Sequence, residues 1–200
     1  MSQPDFERAR EYVLVRLEQE LPPNLFYHGI HHTRDDVLPA VTRLARMARL
    51  GKKQSLLLKT AALYHDIGFI EQYEMNEPVA IRIAAETLPS FGYTQKDIQK
   101  VQHIIAATQM PQTPNGPLEN IMCDADLDSL GREDYFIISG NLRKEQESRG
   151  YVVSDRDWYE NQLVFLSRHQ YFSPQAHALR DAGKQENIAA VLQRLKISSE

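Results

Sequence analysis

The sequence predicts an all-α fold of roughly nine helices. Apolar residues recur three and four positions apart along most of the chain, and no run of alternating residues marks a strand. Breakers such as Leu21-Pro22-Pro23, Gly51, PQTPNGP (111–117) and Gly131 separate these periodic segments.

Taken in order, Phe6, Ala9, Val13, Leu14 and Leu17 share a face of a first helix, which Leu21-Pro22-Pro23 ends. A second helix is expected over about 33–50, with Val37, Val41, Leu44, Ala45 and Ala48 as its apolar stripe. Pro39 lies inside it and should kink its early part. Residues 54–66 are apolar nearly all round (LLLKTAALYHD), which marks a buried helix. GFIEQYEMNE reads as a loop. PVAIRIAAETL follows as a fourth helix, with Pro78 suited to its first turn. Thr94 should cap a fifth helix ending near Thr108, and 119–130 should form a short helix ending at Gly131. Helices near 132–149, 155–168 and 174–194 complete the chain, Ser173-Pro174 opening the last. No tandem repeat is present. One domain over 1–200 is expected, with a core at about 25–130 and C-terminal helices over 131–200; a linker near 111–117 stays open.

At 200 residues, 42% hydrophobic and 25% charged, the chain is that of a globular protein able to bury a core. The net charge of −4 argues against general nucleic-acid binding but is compatible with a small phosphorylated substrate. Cys123 is the single cysteine, so no internal disulfide forms and a reducing compartment fits. The opening MSQPDFERAREYVLVRLEQE carries early acids and no apolar leader region, and no apolar stretch approaches the ~18 residues of a membrane span. A cytoplasmic protein is therefore expected.

Chemistry concentrates in three stretches. YHGIHHTRDDV (27–37) holds three of the seven histidines, and His28 and His32, four apart, point the same way on a helix or tight turn. In LYHDIGF (63–69), His65 and Asp66 diverge by about 100° on a regular helix. They meet one object only at a helix end, which Gly68 supplies. In CDADLDSLG (123–131), Asp124, Asp126 and Asp128 alternate. A cation would offset that charge; Asp128 and Asp124 also read as helix-start acids favoured by the helix dipole. His32, His65, Asp66 and one of the three aspartates would give two imidazoles and two carboxylates, with positions left for water and substrate.

The three stretches in this order resemble the H…HD…D signature of the HD-domain superfamily of metal-dependent phosphohydrolases. YHGIHHT is similar to the opening motif of stand-alone HD proteins, LYHDIGF to their central helix and CDADLDSLG to their closing motif. IIAATQMP and the tail FLSRHQYFSPQAHALRDAGKQENIAAVLQRL are similar as well, so the resemblance runs from about residue 25 to the C-terminus. It implies an HD-domain helical bundle and one divalent metal ion (Mn, Mg, Co, Ni, Zn or Fe) on His32, His65, Asp66 and Asp126. Asp126 is preferred because Ala125-Asp126-Leu127 resembles the family's closing step. His28 resembles the histidine that protonates the leaving oxygen in related cyclic-nucleotide phosphodiesterases; it and Asp66 are the implied catalytic pair.

Two departures bear on subclass. Asn76-Glu77 stands where many relatives have His-Glu, and Asn is a poor substitute ligand, so a second metal stays open, with His103 the remaining nearby candidate. Residues 67–71 (IGFIE) lack the Glu-Asp pair of the ppGpp hydrolases, which disfavours that activity. Arg34, Arg143 and Lys144 are the candidates for phosphate contact; His31 takes no role. The implied activity is hydrolysis of a phosphate ester of a nucleotide or related small molecule by metal-activated water. The alternative is a non-catalytic module that senses a nucleotide or docks a partner. A complete ligand set favours catalysis.

Overall fold

The computed structural model describes residues 4–197. The terminal residues of the 1–200 domain expected above lie outside that range. Nine α-helices occur among the described residues, and no strand: α1 (Phe6–Glu20), α2 (Leu38–Met47), α3 (Lys52–Tyr64), α4 (Asn76–Thr87), α5 (Gln95–Ala106), α6 (Pro117–Asp126), α7 (Tyr135–Ser148), α8 (Asp155–Arg168) and α9 (Pro174–Ile197). No helix among them is long and apolar enough to cross a membrane.

Local chemistry explains most boundaries. Asp5 accepts a hydrogen bond from the Arg8 N–H and caps α1; Thr94 and Ser154 cap α5 and α8 in the same way. The apolar run in α3 buries Leu57 and Leu58 and then, past half-buried Lys59, every residue from Thr60 to Tyr64. This helix is the centre of the bundle, packed by α1, α2, α5 and α6. Their stripes, including Val13, Leu17, Val41, Leu44, Ile98 and Ile105, form one continuous core.

The second helix differs from expectation. Pro39 does not kink a helix begun at 33; α2 starts at Leu38, and a π-helical turn, His32–Val37, precedes it. The Leu38 N–H reaches back five residues to the Thr33 carbonyl. Pro39 lacks the N–H that a regular α-helix would need, and the wider turn absorbs the mismatch. The turn also sets the direction of His32.

Residues 111–117 are not a boundary between cores, because α5 and α6 on either side share the main one. A smaller cluster (Leu130, Tyr135, Leu166 and Val191) is built by α7, α8 and the end of α9. Polar contacts tie it to the bundle. Buried Asp128 accepts two bonds from Arg180 of α9 and one from Arg43 of α2, each at 2.8 Å. Asn187 of α9 donates to the carbonyls of Leu130 and Arg132.

Candidate metal centre

His32, His65, Asp66 and Asp126 converge from three places. His32 opens the π-helical turn and is buried. His65 keeps helical geometry after α3, whereas Asp66 departs from it (φ −106°, ψ 5°) into a short 3-10 turn, Ile67–Ile70. That change of path brings two adjacent side chains to one point, which a continuing helix cannot do. Gly68 permits it: a Cβ there would lie 2.0 Å from the Asn76 carbonyl oxygen of α4. Asp126 is the last residue of α6, and Gln112 donates to its Oδ2 at 3.2 Å.

His32 Nε2 lies 3.2 Å from Asp126 Oδ1 and 3.6 Å from Asp66 Oδ2. His65 Nε2 lies 3.2 Å from Asp66 Oδ2 and 3.4 Å from Asp126 Oδ1. His65 Nδ1 donates to the Ala62 carbonyl at 2.9 Å, so in the neutral ring Nε2 is a bare lone pair facing carboxylates. His65 Nε2 and Asp66 Oδ2 are buried with no hydrogen-bond partner. Electron-rich atoms so placed repel unless a cation lies among them.

In the metal-free chain a proton can serve. Burial disfavours the His65 imidazolium, but the Asp66 and Asp126 carboxylates outweigh it and hold its pKa well above the usual value. Burial likewise opposes the charge on Asp66 and Asp126, yet the facing imidazoles hold both below the usual carboxylate range. The donors also fit a metal ion. Atoms held about 2.1 Å from one ion stand roughly 3.0–3.5 Å apart, close to the spacings here. His32, His65 and Asp66 each offer a ligand atom within 4.8 Å of the others, and all three are buried.

His28 adjoins this group from an irregular bend rather than from a helix, its ring 6.1 Å from that of His32. It stacks on Phe69 of the 3-10 turn at 4.3 Å. Its Nδ1 sits 2.6 Å from Oε1 of Glu145, a fully buried carboxylate of α7. Glu145 also accepts from the Tyr27 and His28 N–H groups and from the Tyr73 hydroxyl. Burial alone would raise its pKa, but these bonds, His28 foremost, hold it below the usual range.

Of the three alternating aspartates, only Asp126 faces the imidazoles. Asp124 and Asp128 are not solvated helix-start acids; both are buried and fully engaged. Asp124 accepts the N–H groups of Phe172 and Ser173 ahead of α9 at 2.7 and 2.8 Å, and Asp128 holds the two arginines described above.

The expected phosphate contacts are not brought to the site. Arg34 is exposed and paired with Asp35. It follows His32 by two positions and so points to nearly the opposite side of the turn. Arg143 is held by Glu147, Asp155 and the Val153 carbonyl, and Lys144 lies 3.8 Å over the Phe26 ring. His103 is on the exposed face of α5. The His31 ring packs beside Gly29.

A cavity of about 740 Å³ opens beside the group, with His28, Asp66 and Asp126 in its wall. Asn76 and Glu77, at the start of α4, also face it. Burial and the charges of Asp66 and Asp126 raise the Glu77 pKa. Sequence reasoning missed Glu145, Gln112 and Tyr73. Glu145 lies within RKEQES, where it reads as one more surface acid. No protein-family model, curated protein or solved structure matches the chain.

Proposed function

We propose that this chain is a metal-dependent phosphohydrolase of the HD-domain superfamily, acting on a small phosphate ester. One observation carries the reading. His65 Nε2 and Asp66 Oδ2 are buried without hydrogen-bond partners, at the point where a second imidazole and a second carboxylate converge. Buried polar atoms left unpaired are costly, so a fold keeps them where something else completes them.

One divalent ion per chain, on His32, His65, Asp66 and Asp126, would supply an acidified water and a Lewis acid for the phosphoryl oxygen. The remaining work falls to the chain's own groups. Glu145 fixes the orientation of His28 and keeps a proton on its Nδ1. Protonated His28, in the cavity wall, then gives its other proton, on Nε2, to the leaving oxygen. Phe69 and Tyr27 pack against the His28 ring and hold it in place. Gln112 keeps one Asp126 oxygen engaged, leaving the other toward the imidazoles.

The test is metal content together with turnover. Purified protein is stripped by chelation and reloaded with Mn, Mg, Co, Ni or Zn in turn. Each form is then assayed on nitrophenyl mono- and diesters. Near-stoichiometric binding with hydrolysis by at least one form supports the reading. Absence of binding overturns it. Binding without hydrolysis of any ester replaces it with the binding-module alternative.

A further inference from the structure

We propose that the cavity selects a phosphate ester bearing a single phosphoryl group on a bulky apolar body, and disfavours di- and triphosphates. The phosphate end of this inference rests on the phosphohydrolase reading; the apolar end stands on the cavity itself.

Charge makes the first argument. No Lys or Arg is among the residues lining the cavity. Its lining acids are Asp66 and Asp126 at the metal group, with Glu74 and Glu77 beyond. One phosphoryl group can be neutralised at the metal group. A second would meet a lining whose further acids are Glu74 and Glu77 and which holds no Lys or Arg. Two arginines pack on lining rings without being part of the lining: Arg149, exposed, lies 3.6 Å over Tyr73, and Arg143 lies 5.8 Å over Trp158. Arg143 is paired with Glu147 and Asp155.

Shape and polarity make the second. Leu127, Leu130, Ile138, Leu142, Trp158 and Phe165 supply an apolar part of the lining, from the end of α6 through α7 and α8. Part of the polar lining is already satisfied internally, since the Tyr135 hydroxyl donates to Gln162 Oε1 at 2.7 Å. The apolar surface continues onto the rim, where Met110 and Tyr151 are 56% and 61% exposed. A cavity of this size takes a drug-sized body, and such walls reward apolar area rather than charge.

Trp158 is the only tryptophan of the chain and lines the cavity, so its fluorescence reports occupancy. The probes are ethyl-, butyl- and octylphosphonate, which cannot be hydrolysed as esters, with a nucleoside monophosphate and a nucleoside triphosphate as comparators. Each is titrated with and without Mn²⁺. Affinity should rise about fourfold per added methylene, giving octyl over ethyl, six methylenes longer, a gain on the order of 10³-fold. Both nucleotides should bind more weakly than octylphosphonate. Leu142→Ala should blunt the chain-length dependence. Leu142→Lys, checked for an unchanged helical spectrum, should shift preference toward the triphosphate. Affinity independent of chain length, or tighter binding of either nucleotide by the unmodified protein, overturns the proposal. The two readings fail separately. Chain-length dependence that Mn²⁺ leaves unaltered, without ester hydrolysis, retains this inference and removes the phosphohydrolase. Ester hydrolysis indifferent to chain length does the reverse.

Discussion

His28 and Glu145 are 117 positions apart in the chain and 2.6 Å apart in the fold. The carboxylate has no exposed surface and three further donors, so it is fixed before any ligand arrives. It therefore sets which His28 nitrogen faces the cavity.

His28→Ala should keep its metal and lose about 10²- to 10⁴-fold in turnover on esters with poor leaving groups. The deficit should shrink on nitrophenyl esters, whose leaving oxygen needs no proton. Glu145→Gln should lose activity in the same direction with metal content unchanged. Steady-state kinetics on the two ester classes, beside metal analysis, check both. Loss of metal from His28→Ala would assign it to the ligand set instead.

The alternating aspartates should separate by phenotype. Asp126→Ala and Asp66→Ala should abolish metal retention while leaving helicity largely intact. Asp128→Ala should retain metal but lose about 3 kcal/mol of stability, because Arg43 and Arg180 lose a buried partner. Denaturant titration and metal analysis of the variants give the comparison.

Gly68→Ala tests the turn after α3. The added carbon meets backbone of α4, which a side-chain rotation cannot relieve. A loss of about 2 kcal/mol is expected, with weakened metal affinity as Asp66 is displaced. An unchanged unfolding midpoint and affinity would show that α4 yields freely.

His169 should give the fold a pH dependence away from the metal group. Burial first, and then the Lys184 ammonium, lower its pKa from 6.5 to about 4. His177 adds to the lowering and Asp181 opposes it. A lowered folded-state pKa means that the unfolded chain takes up the proton first as pH falls. This contribution is complete above about pH 6.5 and is lost on descending to about pH 4. His169→Phe should show a flatter stability profile across that window, measured by chemical denaturation at each pH.

Much of the fold was legible because helical periodicity is a local signal. Helix α8 spans the expected 155–168, whereas α3 starts and ends two residues before the expected 54–66, because the chain leaves helical geometry at Asp66. The stretch before Pro39 was not legible, since a π-helical turn carries the same residues as an α-helix and differs only in hydrogen bonding. The His and Asp positions of the candidate site stood out because three of the seven histidines crowd into 28–32 and His-Asp follows a nearly apolar run. Arg34 was misread because nearness along the chain says nothing about azimuth. Glu145 gave no signal at all. Its burial arises when α7 docks on the bend at 26–29, and nothing within α7 records that contact.

The four bonds on Glu145 also constrain traffic. Swinging α7 outward would break all four at once. Entry and exit are left to the rim, where rotation of the Met110 and Tyr151 side chains widens the mouth without moving a helix. Exposed side chains turn over in picoseconds to nanoseconds. Exchange through that rim therefore asks for side-chain rotation alone, with α7 left in place.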